Sequence, residues 1–121
     1  MDTVRQSRGL NLATEQKRDE IVSHPAWHGD LTGLEAEGLL NNQPSGTFLL
    51  RQGEKEDHYY ISYVVESTFS HLPIKIEGPT NQWFYKNGFP HFGNNLKGFI
   101  PEIMHRDEAD CHPLVEFANQ R

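Results

Sequence analysis

A single cysteine, Cys111, is found in 121 residues. No disulfide can close within the chain, which excludes a disulfide-stapled scaffold and suits a reducing compartment. Long apolar runs are also missing. Nothing approaches the roughly 20 residues that a membrane-spanning helix needs, and mean hydropathy is −0.69. The stretch Met1 to Leu10 lacks the apolar core of a secretory signal, so a cytoplasmic location is the expectation. Positive charge is scarce: 11 Lys and Arg stand against 17 Asp and Glu, for a net charge of −6. General binding to nucleic acid or to a membrane is therefore not expected, and any anion site must gather its cations locally. Seven histidines are present, but without a His-Glu-x-x-His or paired-ligand spacing, so no metal and no cofactor is expected. A nucleophile with a base is lacking too. Cys111 and His112 are neighbours that would face opposite ways on a strand. No catalytic residue and no enzymatic activity is expected; the rival, a small hydrolase of phosphate esters, would be exposed by a phosphatase assay. There are no repeats and no low-complexity tract, and the length suits one domain with one core.

What the chain does have is a patterned middle. Residues 1–24 are polar, and 11–24 read either as a helix with Thr14 as N-cap or as a frayed tail. Pro25 and Gly29 break that pattern, and Trp27 opens the folded part. Residues 32–42 predict a short helix: Thr32 stands three residues before Glu35, a capping-box spacing, and Ala36, Leu39 and Leu40 give an apolar face. "TFLLR" (47–51) predicts a strand covered on both faces, 52–57 a polar turn, and "HYYISYVV" (58–65) a second strand. "HLPIKI" (71–76) alternates, with Leu72, Ile74 and Ile76 on one face and His71, Pro73 and Lys75 on the other. A turn at 78–81 precedes the short strand 83–85, and the aromatic-rich 87–95 reads as a loop. Helical spacing follows through Leu96, Phe99, Ile100 and Ile103, weakened by Gly98 and Pro101, and 111–117 is a last extended segment. Trp27, Tyr59, Phe84 and Phe99 are expected in the core. The order predicts an α+β fold, a central antiparallel sheet flanked by two helices.

Arg51 is the anomaly. It follows Phe48, Leu49 and Leu50 without a break, and a buried charge is costly unless paired. Either it meets an internal carboxylate, with Glu35 or Glu37 as partner, or it awaits an anion from outside.

The segments containing these residues resemble the SH2 domain, the phosphotyrosine-binding module, over about residues 25–118, with 1–24 as a tail or extra helix. "WHGDLTGLEAEGLL" resembles that family's opening and first helix, and "GTFLLRQG" its central arginine-bearing strand. "YYISY" resembles the next strand, "HLPIKI" the strand opened by a phosphate-site histidine, and "DCHPL" the closing segment. The resemblance implies a phosphotyrosine site with Arg51 at its base, joined by Gly53, Glu54, Lys55, His71 and Lys75. It implies that Leu72, with Phe89 and Phe92 in the loop 86–95, reads the residues after the phosphotyrosine. Four supporting positions depart from the family pattern: Gly33 stands for a first-helix Arg, Gly53 for a Ser, Pro73 for a Lys, and Tyr60 for a small residue.

On this reading Leu49 and Arg51 share the strand face under the first helix, and a planar guanidinium takes two phosphate oxygens. Gly53 frees the turn to form an anion nest. Lys55 is its one cation, opposed by Glu54 and Glu56. Lys75 replaces the Lys lost at Pro73, and His71 either orients the ring or is held structurally by backbone. The loop 106–110 is short and acidic, so low sequence selectivity is expected, with hydrophobic or basic preferences. The implied partners are tyrosine-phosphorylated proteins or peptides bound by a monomer, in the host cytosol if the source is an intracellular bacterium. The alternative is a degenerate SH2 fold serving as a phosphate-independent scaffold.

Overall fold

A computed structural model describes residues 13–77 and 82–115. The expected turn at 78–81 and the end of the segment 111–117 lie outside the described residues. A helix, α1, covers 13–22; Thr14, expected to cap it, stands within it. Then follow α2 (Gly33–Leu40), β1 (Thr47–Gln52), β2 (His58–Val65), β3 (Thr68–Glu77), β4 (Gln82–Asn87), β5 (Phe89–Gly93) and α3 (Leu96–Met104), with a 3-10 turn Glu108–Asp110 and a short β6 (His112–Pro113). The strands form one sheet in the order β5-β4-β3-β2-β1-β6. All pairs are antiparallel except β6, which lies parallel to β1. The fold is α+β, as the element order predicted, and the parallel edge is an addition to it.

β1 is central because both its edges are occupied. β2 pairs along one side. On the other, His28 N–H donates to Leu50 O, Leu50 N–H to Ala26 O, and Leu114 N–H to Phe48 O. Alternation along β1 then feeds two cores. Phe48 and Leu50 join Ile21, Tyr59, Ile61, Trp83, Phe99 and Ile103 on the face covered by α1 and α3. Leu49 joins Ala36, Leu40, Val64 and Leu114 under α2, the face that also carries Arg51.

The helices form for local reasons. Thr32 and Glu35 complete the capping box at α2, each side chain bonding the other's backbone N–H. Asn95 caps α3 through Gly98 N–H, and that cap, with an apolar face of Leu96, Phe99, Ile100 and Ile103, outweighs Pro101 in the interior. α1 is docked on the sheet: Ile21 is fully buried, the Glu20 carboxylate accepts from Trp83 Nε1–H at 2.9 Å and from Leu96 N–H, and Arg18 pairs with Asp57 at 2.6 Å and Glu56 at 3.0 Å.

Two expectations need correction. The segment 87–95 is no loop: Phe89–Gly93 pairs with β4 through Trp83–Gly93, Phe84–Phe92 and Tyr85–His91. Pro90 is accommodated because β5 is the edge strand. Phe84 is not core. It is half-buried on the α2 side of the sheet, its ring 5.0 Å from that of Phe92.

Candidate functional site

Strand register brings the site together. On the α2 side of the sheet, Leu49, Ser62 and His71 form one row, and Arg51, Tyr60 and Pro73 the next. Gly33, in the first turn of α2, lies above them; a Cβ there would sit 3.5 Å from Arg51 Nη2 and 3.8 Å from His71 Cε1. These elements enclose a cavity of about 470 Å³, walled by Leu31, Gly33, Arg51, Gly53, Tyr60 and His71, with Asp30 and Glu54 also at its lining.

Arg51 is only 7 % exposed, and among the described residues no carboxylate pairs with it directly. Its Nε–H donates to Ser62 Oγ at 2.9 Å, Nη1 to the Leu31 carbonyl at 3.2 Å, and Nη2 to His71 Nδ1 at 3.3 Å. The guanidinium carbon stands 4.3 Å from the centroid of the Tyr60 ring, a cation–π contact. Burial pulls the Arg51 pKa below its ordinary value, while Tyr60, Glu54 and Glu37 push the other way. The group stays a cation, but a poorly solvated one.

The hydrogen bonds assign the protons. Arg51 Nε–H and Nη2–H only donate, so Ser62 Oγ accepts from Arg51 and turns its own O–H to His71 Nδ1, 2.7 Å away. His71 Nδ1 is thus an acceptor, and the Nε2–H donates to Glu37 Oε2 at 2.8 Å. In this arrangement the imidazole is neutral and the carboxylate of Glu37 holds its tautomer. Three of the five guanidinium N–H groups are used. Among the described residues one N–H on each terminal nitrogen is left, enough in number for a bidentate oxyanion.

The other expected residues distribute as follows. Glu35 is spent on the α2 cap and Glu37 on His71, so neither is the direct partner of Arg51. His71 is held by side chains, with no backbone bond among its contacts. Gly53 lines the cavity, but its N–H closes the β1–β2 hairpin onto His58 O at 2.8 Å, so it is not free for an anion nest. The glycine is required for another reason: a Cβ would lie 2.7 Å from His58 O. Glu54 lines the cavity and accepts from the Tyr60 hydroxyl at 3.3 Å. Lys55 is exposed on the turn and does not line the cavity. Lys75 lies away from it, paired with Glu77 at 2.8 Å and 5.5 Å from the Phe84 centroid. Leu72 packs against the α3-side core, while Phe89 and Phe92 are 78 % and 48 % exposed on the outer hairpin; the three do not meet in one pocket. Sequence reasoning missed Ser62, whose only signal was a single small polar residue among the aromatic and β-branched residues of its strand.

The SH2 domain family model matches residues 27–93. The chain is 29 % identical over 98 residues to the Mus musculus hematopoietic SH2 domain-containing protein, covering 80 % of this chain and 24 % of that protein. It is 31 % identical over 70 residues to Homo sapiens suppressor of cytokine signaling 5, covering 58 % of this chain and 12 % of that protein. It thus spans less than a quarter of these curated relatives. Among solved structures, the Monosiga brevicollis CRK/CRKL homolog SH2 domain is similar with a TM-score of 0.58 and 26 % identity, over 69 % of this chain and 77 % of that one.

Proposed function

The chain belongs to the SH2 domain family, and from that premise we propose that it binds phosphotyrosine in peptides or proteins through the Arg51 cavity. SH2 domains are phosphotyrosine-binding modules of signalling proteins, not enzymes. The observation that carries the reading for this chain is its guanidinium, buried, bonded to neutral partners and keeping two N–H groups in reserve. Phosphotyrosine carries about −1.5 to −2 charges at pH 7. At about 4 Å and an effective dielectric near 20, each unit pair is worth roughly 4 kcal/mol before desolvation. The phosphate completes a cation already stripped of water, so part of the desolvation cost is met in folding.

Arg51 carries the phosphate; His71, both of its ring nitrogens engaged, helps to hold the guanidinium, with Ser62 and Glu37 behind it. Gly53 shapes the turn and Glu54 opposes the anion, while Lys55 and Lys75 stand outside the cavity. The outer edge of β3 supports the path of the peptide. β4 pairs only with Lys75, Ile76 and Glu77, so between Thr68 and Ile74 no described strand covers that edge, and an extended peptide can add its backbone there. Low sequence selectivity follows from the scattering of Leu72, Phe89 and Phe92. Catalysis has no support: burial raises the Cys111 pKa, which leaves the thiol a poor nucleophile. We read the chain as a monomeric, cytoplasmic module.

A specific observation favours a second reading. Two carboxylates, Asp30 and Glu54, line the cavity beside a single guanidinium, as in a site that has lost phosphate and kept only a scaffold. Fluorescence anisotropy with one peptide in tyrosine, phosphotyrosine and phosphoserine forms separates the two. The first reading expects binding of the phosphotyrosine form alone, since phosphoserine is too short to reach Arg51. Equal affinities would favour the scaffold.

A further inference from the structure

A second cavity, about 210 Å³, opens on the same face of the sheet, lined by His58, Pro73, Lys75, Phe84 and Lys86. Register places it one step beyond the Arg51 row: His58, Lys75, Phe84 and Phe92 lie side by side across β2, β3, β4 and β5. Pro73 belongs to the Arg51 row and also lines this cavity, so the two sites share a wall. In a chain of net charge −6, two lysines here frame an aromatic floor. Lys75 reaches over the Phe84 ring and its partner is Glu77, an exposed pair of the kind that contributes little. Lys86 is exposed and has no described ion-pair partner.

We infer that this cavity is a second anion subsite, which takes a carboxylate or phosphate on the same peptide that places its phosphotyrosine on Arg51. The inference rests on the phosphotyrosine reading and deepens it. From β1 to β3 the sheet spans about 10 Å, and one row along the strands adds about 7 Å. The Cα positions of Arg51 and Lys75 are therefore roughly 12 Å apart, and because the phosphotyrosine side chain itself reaches from the β3 edge to Arg51, the second acidic group falls about two to four residues from it along an extended peptide. Lysine is a flexible point charge, so the subsite selects charge at a loose spacing and not a sequence motif. It favours acidic flanks, opposite to the basic preference that the acidic loop 106–110 suggested. Phe84 and Phe92, left half-exposed on this side, give the aliphatic part of the ligand residue an apolar bed.

The test uses the whole chain and anisotropy at low salt with three peptides: one phosphotyrosine with neutral flanks, the same with aspartates three and four residues to either side, and the same with a second phosphotyrosine there. The wild type is expected to prefer the acidic and doubly phosphorylated peptides by about fivefold or more, the yield of two exposed ion pairs. Lys75→Gln/Lys86→Gln should bring that ratio to about one and leave the neutral peptide within about twofold, which also reports that the variant is folded. A ratio near one in the wild type, or a ratio untouched by the double substitution, overturns the subsite alone. Failure of every phosphotyrosine peptide to bind the wild type overturns the phosphotyrosine reading and this one with it. If the double substitution abolishes binding to vesicles of anionic lipid but not the peptide ratio, the cluster is a membrane contact and the inference is wrong.

Discussion

Ser62→Ala probes the site where its construction is most exact. Ser62 is fully buried, and its hydroxyl both accepts from Arg51 Nε–H at 2.9 Å and faces His71 Nδ1 at 2.7 Å. Removing it leaves a charged donor buried without an acceptor, while His71 Nδ1 keeps its contact with Nη2. A buried unsatisfied donor costs about 1–3 kcal/mol, so a stability loss near 2 kcal/mol is expected. At about 4–8 °C per kcal/mol for a domain of this size, the melting temperature should fall by roughly 10 °C. The bond is present with and without ligand, so affinity should suffer less. What is lost is the fixed aim of the guanidinium, about 1 kcal/mol for one side chain to be immobilised on binding, or roughly fivefold in Kd. The assay pairs urea unfolding with phosphopeptide titration. Unfolding within about 0.5 kcal/mol of wild type, or lost affinity at unchanged stability, would refute the hydrogen-bond assignment.

Other outcomes follow from single positions. Gly33→Arg has room, since a Cβ there makes only ordinary contacts at 3.5 Å and beyond; a second cation over the cavity should tighten phosphotyrosine peptides by about tenfold, as a charge-assisted bond would, measured by anisotropy against the plain peptide. Gly53→Ala drives a Cβ against His58 O at 2.7 Å and should cost about 1–3 kcal/mol of stability through strain, read by urea unfolding. His24 has its pKa lowered by burial, against the pull of Glu20, and its Nδ1 accepts from Ala26 N–H. Because the unfolded state takes the proton first, its contribution is present above the ordinary histidine value of about 6.5 and is lost as pH falls below it. His24→Gln should therefore flatten the decline of the melting temperature between about pH 7 and pH 5.

Much of the frame was legible because it rests on periodicity. The β-branched and aromatic runs at 47–51 and 58–65 could hardly be anything but strands, and Thr32 with Glu35 marked the start of α2. Contacts between distant segments were not legible. That α1 docks at all depends on Glu20 meeting Trp83 and Leu96, pairs that no local pattern predicts. The β2–β3 hairpin turns on Glu66 and Ser67, both at positive φ (48° and 70°), without the Asn-Gly signature such turns prefer, so β3 was expected to start at His71 and not at Thr68. β5 was read as a loop because Pro90 and Gly93 mask its pairing. In the site, alternation put Arg51 on the same face as Leu49, and resemblance placed that face under the first helix, supplied His71 and flagged Gly33. The relay through Ser62 to Glu37 needed the register of three strands and could not be read from one of them.

Phosphotyrosine binding here depends on Arg51 being a buried cation in want of an anion, and Arg51→Met tests that most directly because it nearly keeps volume and removes charge. Two measurements on the one variant are needed: melting of the unliganded protein and titration with the phosphotyrosine peptide. Arg51→Met ends the cost of an unpaired buried charge but leaves the Leu31 carbonyl and Ser62 Oγ each without the donor that Arg51 gave them; the two effects oppose, so the free variant should melt within a few degrees of wild type, while phosphopeptide affinity falls by about 2–5 kcal/mol. A variant that unfolds far more easily yet binds the peptide as wild type does would show that Arg51 serves the fold and not the ligand.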